Sequence, residues 1–363
     1  MTWTSCRYYQ LFNITCFPPI VVQAFVRCVQ KELGQLRGKL TTLVTAAVDI
    51  PKYPKLALDA PAVEMFEADD FLTQNLAMPF NPDAELSNWL KRKLQVVLVY
   101  GGSGQGKTRL LLEYLFHHYA VFLVGDNYGN GGGDLLKQAV TDCNKTDLRH
   151  EWYASVVLLC AVIIRAEVVK FCMHQTWGSP ALCLQLQYTA NKKFQNQKCQ
   201  GHQGESSLSD LETVAFSAIT EEWQRLARTW HSHRFPTKLH EPLLKQLANV
   251  YKRGWPEPVP VCVDEAQVLL HEGYASQIVD ADKRNTLYAF MINMVHHCGA
   301  SIACSGTGVS LLQAQRAQKS SPADKNSVIK ILQVATLFNF GKTVSSHRFY
   351  LILESQWYGR IAS

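Results

Sequence analysis

The chain has 363 residues, 47% of them hydrophobic and 18% charged, and its formal net charge is +6. That length suffices for one large domain or two medium ones with a real core, and the composition excludes an intrinsically disordered chain. The mild positive charge permits an anionic or nucleic-acid partner without arguing for one. The eleven cysteines are odd in number and scattered, with no CxxC pair. This excludes a small disulfide scaffold and points to reduced thiols in an intracellular, reducing compartment. Cys199 and His202, in CQGH, have no second half at zinc-finger spacing, so no metal site is read there.

Taken in order, the first residues carry LFNITCFPPIVVQAFV, interrupted by Pro18 and Pro19 and without a small-residue cleavage site, which does not read as a secretory signal. QAFVRCVQKELGQLRGKLTTLV fits an amphipathic helix, and DIPKYPKLALDAP fits a proline-punctuated linker. MPFNPDAELSNWLKRK combines a turn with a short helix, capped at Asn81 or Asp83. LQVVLVY is a valine-rich run of the kind buried on both faces of a parallel sheet, TRLLLEYLFHHYA has helical spacing, and AVFLVG is a second short strand. Strand, glycine loop, helix and strand make a βαβ unit.

From about 126 to 255 the reading is mostly helical, with SVVLLCAVIIRAEVVKFC and LETVAFSAITEEWQRLARTW as helices and QNQKCQGHQGESSLSD as the loop between them. ASVVLLCAVII ends at Arg165 and Glu167, well short of the roughly 20 residues of a membrane span, so no membrane contact is expected. VPVCVDE is the next buried strand. Leu287, Phe290, Met291, Met294 and Val295 then share one helical face, and ASIACSGTG is a further strand ending in a polar turn.

The chemistry concentrates at the ends of these strands. GGSGQGKT satisfies G-x-x-x-x-G-K-[ST] between a strand and a helix. Gly101, Gly102, Ser103, Gly104, Gln105 and Gly106 let the backbone wrap its N–H groups around phosphates, and the following helix start favours anions. Lys107 would reach the β- and γ-phosphates and Thr108 would set its hydroxyl on Mg²⁺. In VPVCVDEAQ a buried strand ends in two carboxylates, unfavourable unless solvent or metal meets them. Asp264 would serve the Mg²⁺ shell, Glu265 would orient or deprotonate the attacking water, and Gln267 is either a water-placing residue or a plain helix-start side chain. In SIACSGTG, Ser305 and Thr307 are candidates for a place near the γ-phosphate, against the alternative of an ordinary polar turn.

Weaker signals accompany these. GNGGGD reads as a flexible turn with Asp134 near a helix cap rather than a second phosphate loop, and HSH and HHC read as surface or helix-end residues. Arg284 or Arg316 could supply a transition-state arginine. Lys91, Arg92 and Lys93 form only a short basic run, and no guanine-reading N/T-K-x-D follows the DEAQ strand.

GGSGQGKTR, GNGGGDL, the apolar helix with SPALCLQLQ after it, VDEAQVLL and CSGTGVSL together resemble the P-loop ATPase domain of Crinkler-type effectors and of the related retrotransposon hot-spot proteins. The resemblance covers about 75–345, with a helical insertion at about 135–255, an N-terminal region at 1–74 that does not match the family's ubiquitin-like header, and a short extension at 346–363. It implies an α/β P-loop NTPase with a central, mostly parallel sheet flanked by helices and one additional central strand. Lys107, Thr108 and Arg109 would bind nucleotide, Thr108 and Asp264 Mg²⁺, Glu265 the attacking water, and the turn at Ser305 and Thr307 would sense the γ-phosphate. Family members join this domain to a C-terminal toxin domain, and some act in a host nucleus.

The function expected is Mg²⁺-dependent binding and hydrolysis of ATP, coupled to a protein partner or to a homo-oligomer. Three alternatives stay open: a nucleotide-dependent interaction switch with little turnover, an inactive or truncated copy, and a motor or nuclease partner acting on nucleic acid.

Overall fold

The computed structural model describes residues 17–47, 84–101, 107–125, 133–145, 151–176, 178–189, 208–231, 237–255, 257–267, 269, 287–306, 328–335 and 349–352. Six strands form one sheet: β1 (Gln95–Tyr100), β2 (Val121–Val124), β3 (Val261–Asp264), β4 (Ile302–Ser305), β5 (Val328–Ala335) and β6 (Phe349–Ile352). Their order across the sheet is β2-β3-β4-β1-β5-β6. All neighbours are parallel except β5 and β6, which pair antiparallel. The chain is therefore α/β with a mostly parallel sheet, as the sequence leads one to expect. The valine-rich β1 sits inside the sheet, and β4 lies between β1 and β3.

Strand side chains alternate between faces, and here both faces are dry. On one face Val96, Leu98, Val121, Leu123, Val261, Val263, Ile302 and Cys304 join a large helical core. On the other, Val97, Val99, Phe122, Val124, Cys262 and Ala303 pack with the short helices α2 (Ala84–Leu90) and α3 (Lys107–His117). This double burial is why the strands read as continuous apolar runs and not as alternating ones.

The larger layer is built from α1 (Phe17–Ala47), α4 (Gly133–Lys145), α5 (Glu151–Met173), α7 (Leu208–His231), α8 (Thr237–Lys252) and α9 (Leu287–His297), with α6 (Pro180–Thr189) bridging to α3. Helix α5 is its axis: from Tyr153 to Cys172 nearly every side chain is buried, because α1, α4, α7, α8 and α9 surround it. A helix apolar on all sides must be enclosed in this way or lie in lipid. Among the described residues no helix is long and apolar enough to cross a membrane. The amphipathic segment near the N-terminus is α1, which lays Phe25, Val29, Leu33, Leu36 and Leu40 against α7, α8 and α5. Helix α9 buries Met291, Met294 and Val295 as its spacing predicts, and also Ile292, so its buried arc is wider than one stripe.

Sequence patterning does not reveal β5 and β6, nor how the sheet ends at β2. That edge strand is met by a side chain: Gln187 of α6 accepts a hydrogen bond from Phe122 N at 2.9 Å and donates to Ala120 O at 3.1 Å. One amide thus does the work of a neighbouring strand and closes an exposed ladder. Behind it, Arg165 of α5 donates to Gln187 O at 3.1 Å and to Glu212 Oε2 at 2.8 Å, with Arg165 and Glu212 both 1% exposed. The buried ion pair and the sheet edge form one polar chain inside the helical layer.

Candidate functional site at the carboxyl edge of the sheet

In a parallel sheet all carboxyl ends emerge on one side. Register fixes which residues emerge together: Val99 of β1 is level with Ser305 of β4, and Val124 of β2 with Asp264 of β3. Gly101 follows β1 and is buried, and Lys107 opens α3. Lys107, Asp264 and Ser305 are buried, at 6%, 4% and 0% exposure, an unusual density of polar groups for the interior.

Each of these groups has a physical reason for being there. Burial pushes the Lys107 ammonium below the ordinary lysine value, and the carboxylates of Glu265 and Asp264 pull it back up. A cation at the first position of α3 is set against the helix dipole, so the opposing carboxylates are what make its position tolerable. Ser305 Oγ donates to Asp264 Oδ1, a charge-assisted bond that fixes the carboxylate across the β3–β4 gap. Two backbone bonds continue the ladder past the strand ends: Gly125 N donates to Asp264 O and Ala266 N to Ser305 O, both at 2.8 Å.

Between those two anchors lies Glu265. Its φ is 51°, in the left-handed region that side chains rarely adopt. Such conformations persist only where the surroundings hold them, and they concentrate at working sites. Gln267 Nε2 donates to Glu265 Oε2, so the amide two residues on holds the carboxylate.

Of the residues singled out from sequence, Lys107, Asp264, Glu265 and Ser305 converge on this edge. Thr108 stands half-buried in the first turn of α3, and Arg109 lies in the same turn. Gly102, Ser103, Gly104, Gln105, Gly106 and Thr307 lie outside the described residues, as do Arg284, Arg316, Cys199 and His202. Asp134 lies in the first turn of α4, and His296 and His297 lie in the last turn of α9. Lys91, Arg92 and Lys93 form the turn between α2 and β1. Two residues whose roles motif reading does not reach matter for the architecture: Gln187, whose role depends on a strand 65 positions away, and Gly125. For Gly125 a signal existed, a glycine directly after a buried strand.

No group of three or more His, Cys, Asp or Glu side chains that could hold a metal occurs among the described residues. The donors at this edge, one carboxylate fixed by a hydroxyl and one helix-start threonine, suit a hard cation that keeps most of its waters and takes its remaining oxygens from a phosphate. A cavity of about 510 Å³ lies elsewhere, between α1, α5 and α8, and none of the carboxyl-edge residues lines it among the described residues.

No family model, no curated protein and no solved structure matches the chain.

Proposed function

We propose that this chain binds ATP with Mg²⁺ and hydrolyses it to ADP and phosphate, as a P-loop NTPase of the kind with an additional strand between its two motif-bearing strands. The observation that carries the reading is the convergence of a buried Lys107 with Asp264 and Glu265 at one end of a parallel sheet in which β4 separates β1 from β3. GGSGQGKT before α3 supplies the second support, since that sequence between a strand and a helix start suits a triphosphate. The resemblance of the motifs to the ATPase domain of Crinkler-type effectors and retrotransposon hot-spot proteins agrees with it.

In this reading Lys107 places its charge against the terminal phosphates, where a buried cation acts with little screening. Asp264 and Thr108 would hold Mg²⁺, which when bound supplies positive charge to the phosphate oxygens. Ser305 keeps Asp264 in its orientation. Glu265 accepts the proton of the attacking water as the new P–O bond forms and the bond to the ADP oxygen breaks. Much of the acceleration comes from holding water, phosphorus and leaving oxygen in line. Hydrolysis would act on a protein partner or on a second copy of the chain.

A specific observation favours a second reading, a nucleotide-dependent switch with little turnover: Gln267 already occupies the Glu265 carboxylate. Glu265→Gln separates the two. For an ATPase, phosphate release falls by about 10²–10⁴-fold while ATP affinity stays within about threefold. Tight ATP binding without turnover in the unsubstituted protein hands the site to the switch. Absence of ATP binding defeats both readings.

A further inference from the structure

Glu265 can stand where it does only because position 125 has no side chain. A Cβ on Gly125 would meet the carbonyl oxygen of Glu265 well inside van der Waals contact, with the carbonyl carbon of Glu265 at 3.1 Å and the Asp264 oxygen at 3.4 Å. These are backbone atoms, so no rotamer change relieves them. The φ of Gly125 is not in the left-handed region, so an alanine there would be strained by this collision and not by its own backbone.

Which side would yield follows from the hydrogen bonds. Gly125 is pinned by its N–H to Asp264 O, and β2 is pinned to β3 through four consecutive register pairs. Glu265 lies beyond the ladder, in a left-handed conformation, held through Asp264 on one side and through Ala266 N–H to Ser305 O on the other. The weaker member is therefore the peptide joining Glu265 to Ala266. That peptide is planar, so turning the Glu265 carbonyl away from position 125 turns the Ala266 N–H away from Ser305. Rotation about the Glu265 Cα–C bond leaves its Cβ in place but shifts the chain that follows, including Gln267, whose Nε2 donates to Glu265 Oε2, so the carboxylate is re-aimed through that bond.

We propose that Gly125, at the carboxyl end of β2, is the positioning residue for Glu265: its bare backbone seats the 265–266 peptide and thereby sets the direction of the glutamate carboxylate. The assignment of a catalytic purpose to that direction rests on the ATPase reading; the seating of the peptide does not.

The test compares Gly125→Ala with Gly34→Ala as control, since a Cβ at Gly34 meets nothing within 4 Å. In the full-length chain with ¹⁵N-alanine, the Ala266 amide resonance moves and its hydrogen exchange speeds by about tenfold or more in Gly125→Ala, and neither changes in Gly34→Ala. ATP turnover falls by about 10–100-fold in Gly125→Ala, with ATP affinity within about threefold of the unsubstituted protein. Because Gly125 acts through Glu265, Gly125→Ala combined with Glu265→Gln is no slower than Glu265→Gln alone. An unmoved Ala266 amide overturns the proposal, and so does turnover that stays unchanged in Gly125→Ala. If the unsubstituted protein releases no phosphate, the ATPase reading fails by itself, and the Ala266 amide still decides whether Gly125 seats the peptide.

Discussion

Two lysines lose most of their water when this chain folds, and they separate the candidate site from a supporting region. Lys107 opens α3 at the carboxyl edge of the sheet; Lys170 lies in α5 within the helical layer. Burial pushes both ammonium groups below the ordinary lysine value. For Lys107 the opposing pull comes from Glu265 and Asp264, both at the end of β3 and both assigned to water and metal in the proposed ATPase reading. Lys170 is taken up by the fold. It donates to Val250 O at 3.1 Å, stands 3.8 Å from Glu167 Oε2, and lies 5.3 Å from the Trp255 ring centre. The same buried charge is thus a tether between α5 and α8 in one place and, at the strand ends, the counterpart of two carboxylates. Burial alone does not mark a site; what the buried charge faces does.

Replacing each lysine breaks the comparison if the two respond alike. Lys107→Met is expected to give the largest functional effect, a loss of ATP affinity and turnover of about 100-fold or more, while its unfolding midpoint moves by less than about 4 °C. Paired calorimetry of nucleotide binding and of unfolding measures both. A large fall in stability with ATP binding retained would make Lys107 a structural residue like Lys170.

The helical layer gives the converse. Arg165→Met removes the guanidinium that balances the buried Glu212 carboxylate and that donates to Gln187 O. Urea unfolding should show a loss of about 3–5 kcal/mol. Because Gln187 also closes the β2 edge, the folded variant should associate more readily, seen by light scattering. Turnover per folded molecule stays unchanged if the two regions are independent.

The smallest effect is a pH dependence. Burial, with Arg37 adding to it and Glu167 opposing, brings Lys170 down to about 8, whereas an unfolded lysine titrates near about 10.4. Between those values the unfolded lysine holds a proton that the folded one has lost, so this group by itself adds stability as pH rises across that window and adds none below it. The buried thiols of Cys143, Cys160, Cys262 and Cys298, pushed up by burial, act in the opposite direction, so the reading is the difference between proteins. The gap in urea midpoint between the unsubstituted protein and Lys170→Met should change in favour of the unsubstituted protein from pH 7 to 10. A gap that does not change with pH removes Lys170 from the titration.

Much of the site is legible in the sequence because it consists of short contiguous patterns. VLVY before a glycine loop, Lys107 at a helix start, and Asp264 with Glu265 after VPVCV are each local, and each lies where its pattern locates it. Glycine loop and strand-end carboxylates announce themselves because few other needs put such residues directly after apolar runs. The roles of Gln187 and Gly125 are not legible in this way. Gln187 is one amide in a helix, and only the approach of β2 makes it a strand substitute. The requirement at Gly125 comes from the carbonyl of a residue 140 positions later in the chain (265 minus 125). The expected helical face of α9 misses Ile292 for the same reason, since α5 and α8 enclose more of it than one stripe.

The sequence by itself determined β1 to β4, the helices that flank them and the chemistry available to them, though not β5 and β6, since hydrophobic period, glycine loops and strand-end charges act within a few residues. Only the tertiary structure decided that β4 would lie between β1 and β3, that Ser305 would meet Asp264, and that Lys107 would face two carboxylates more than 150 positions away. Those arrangements follow from which apolar faces bury one another, and that is a property of the whole packed layer and not of any segment in it.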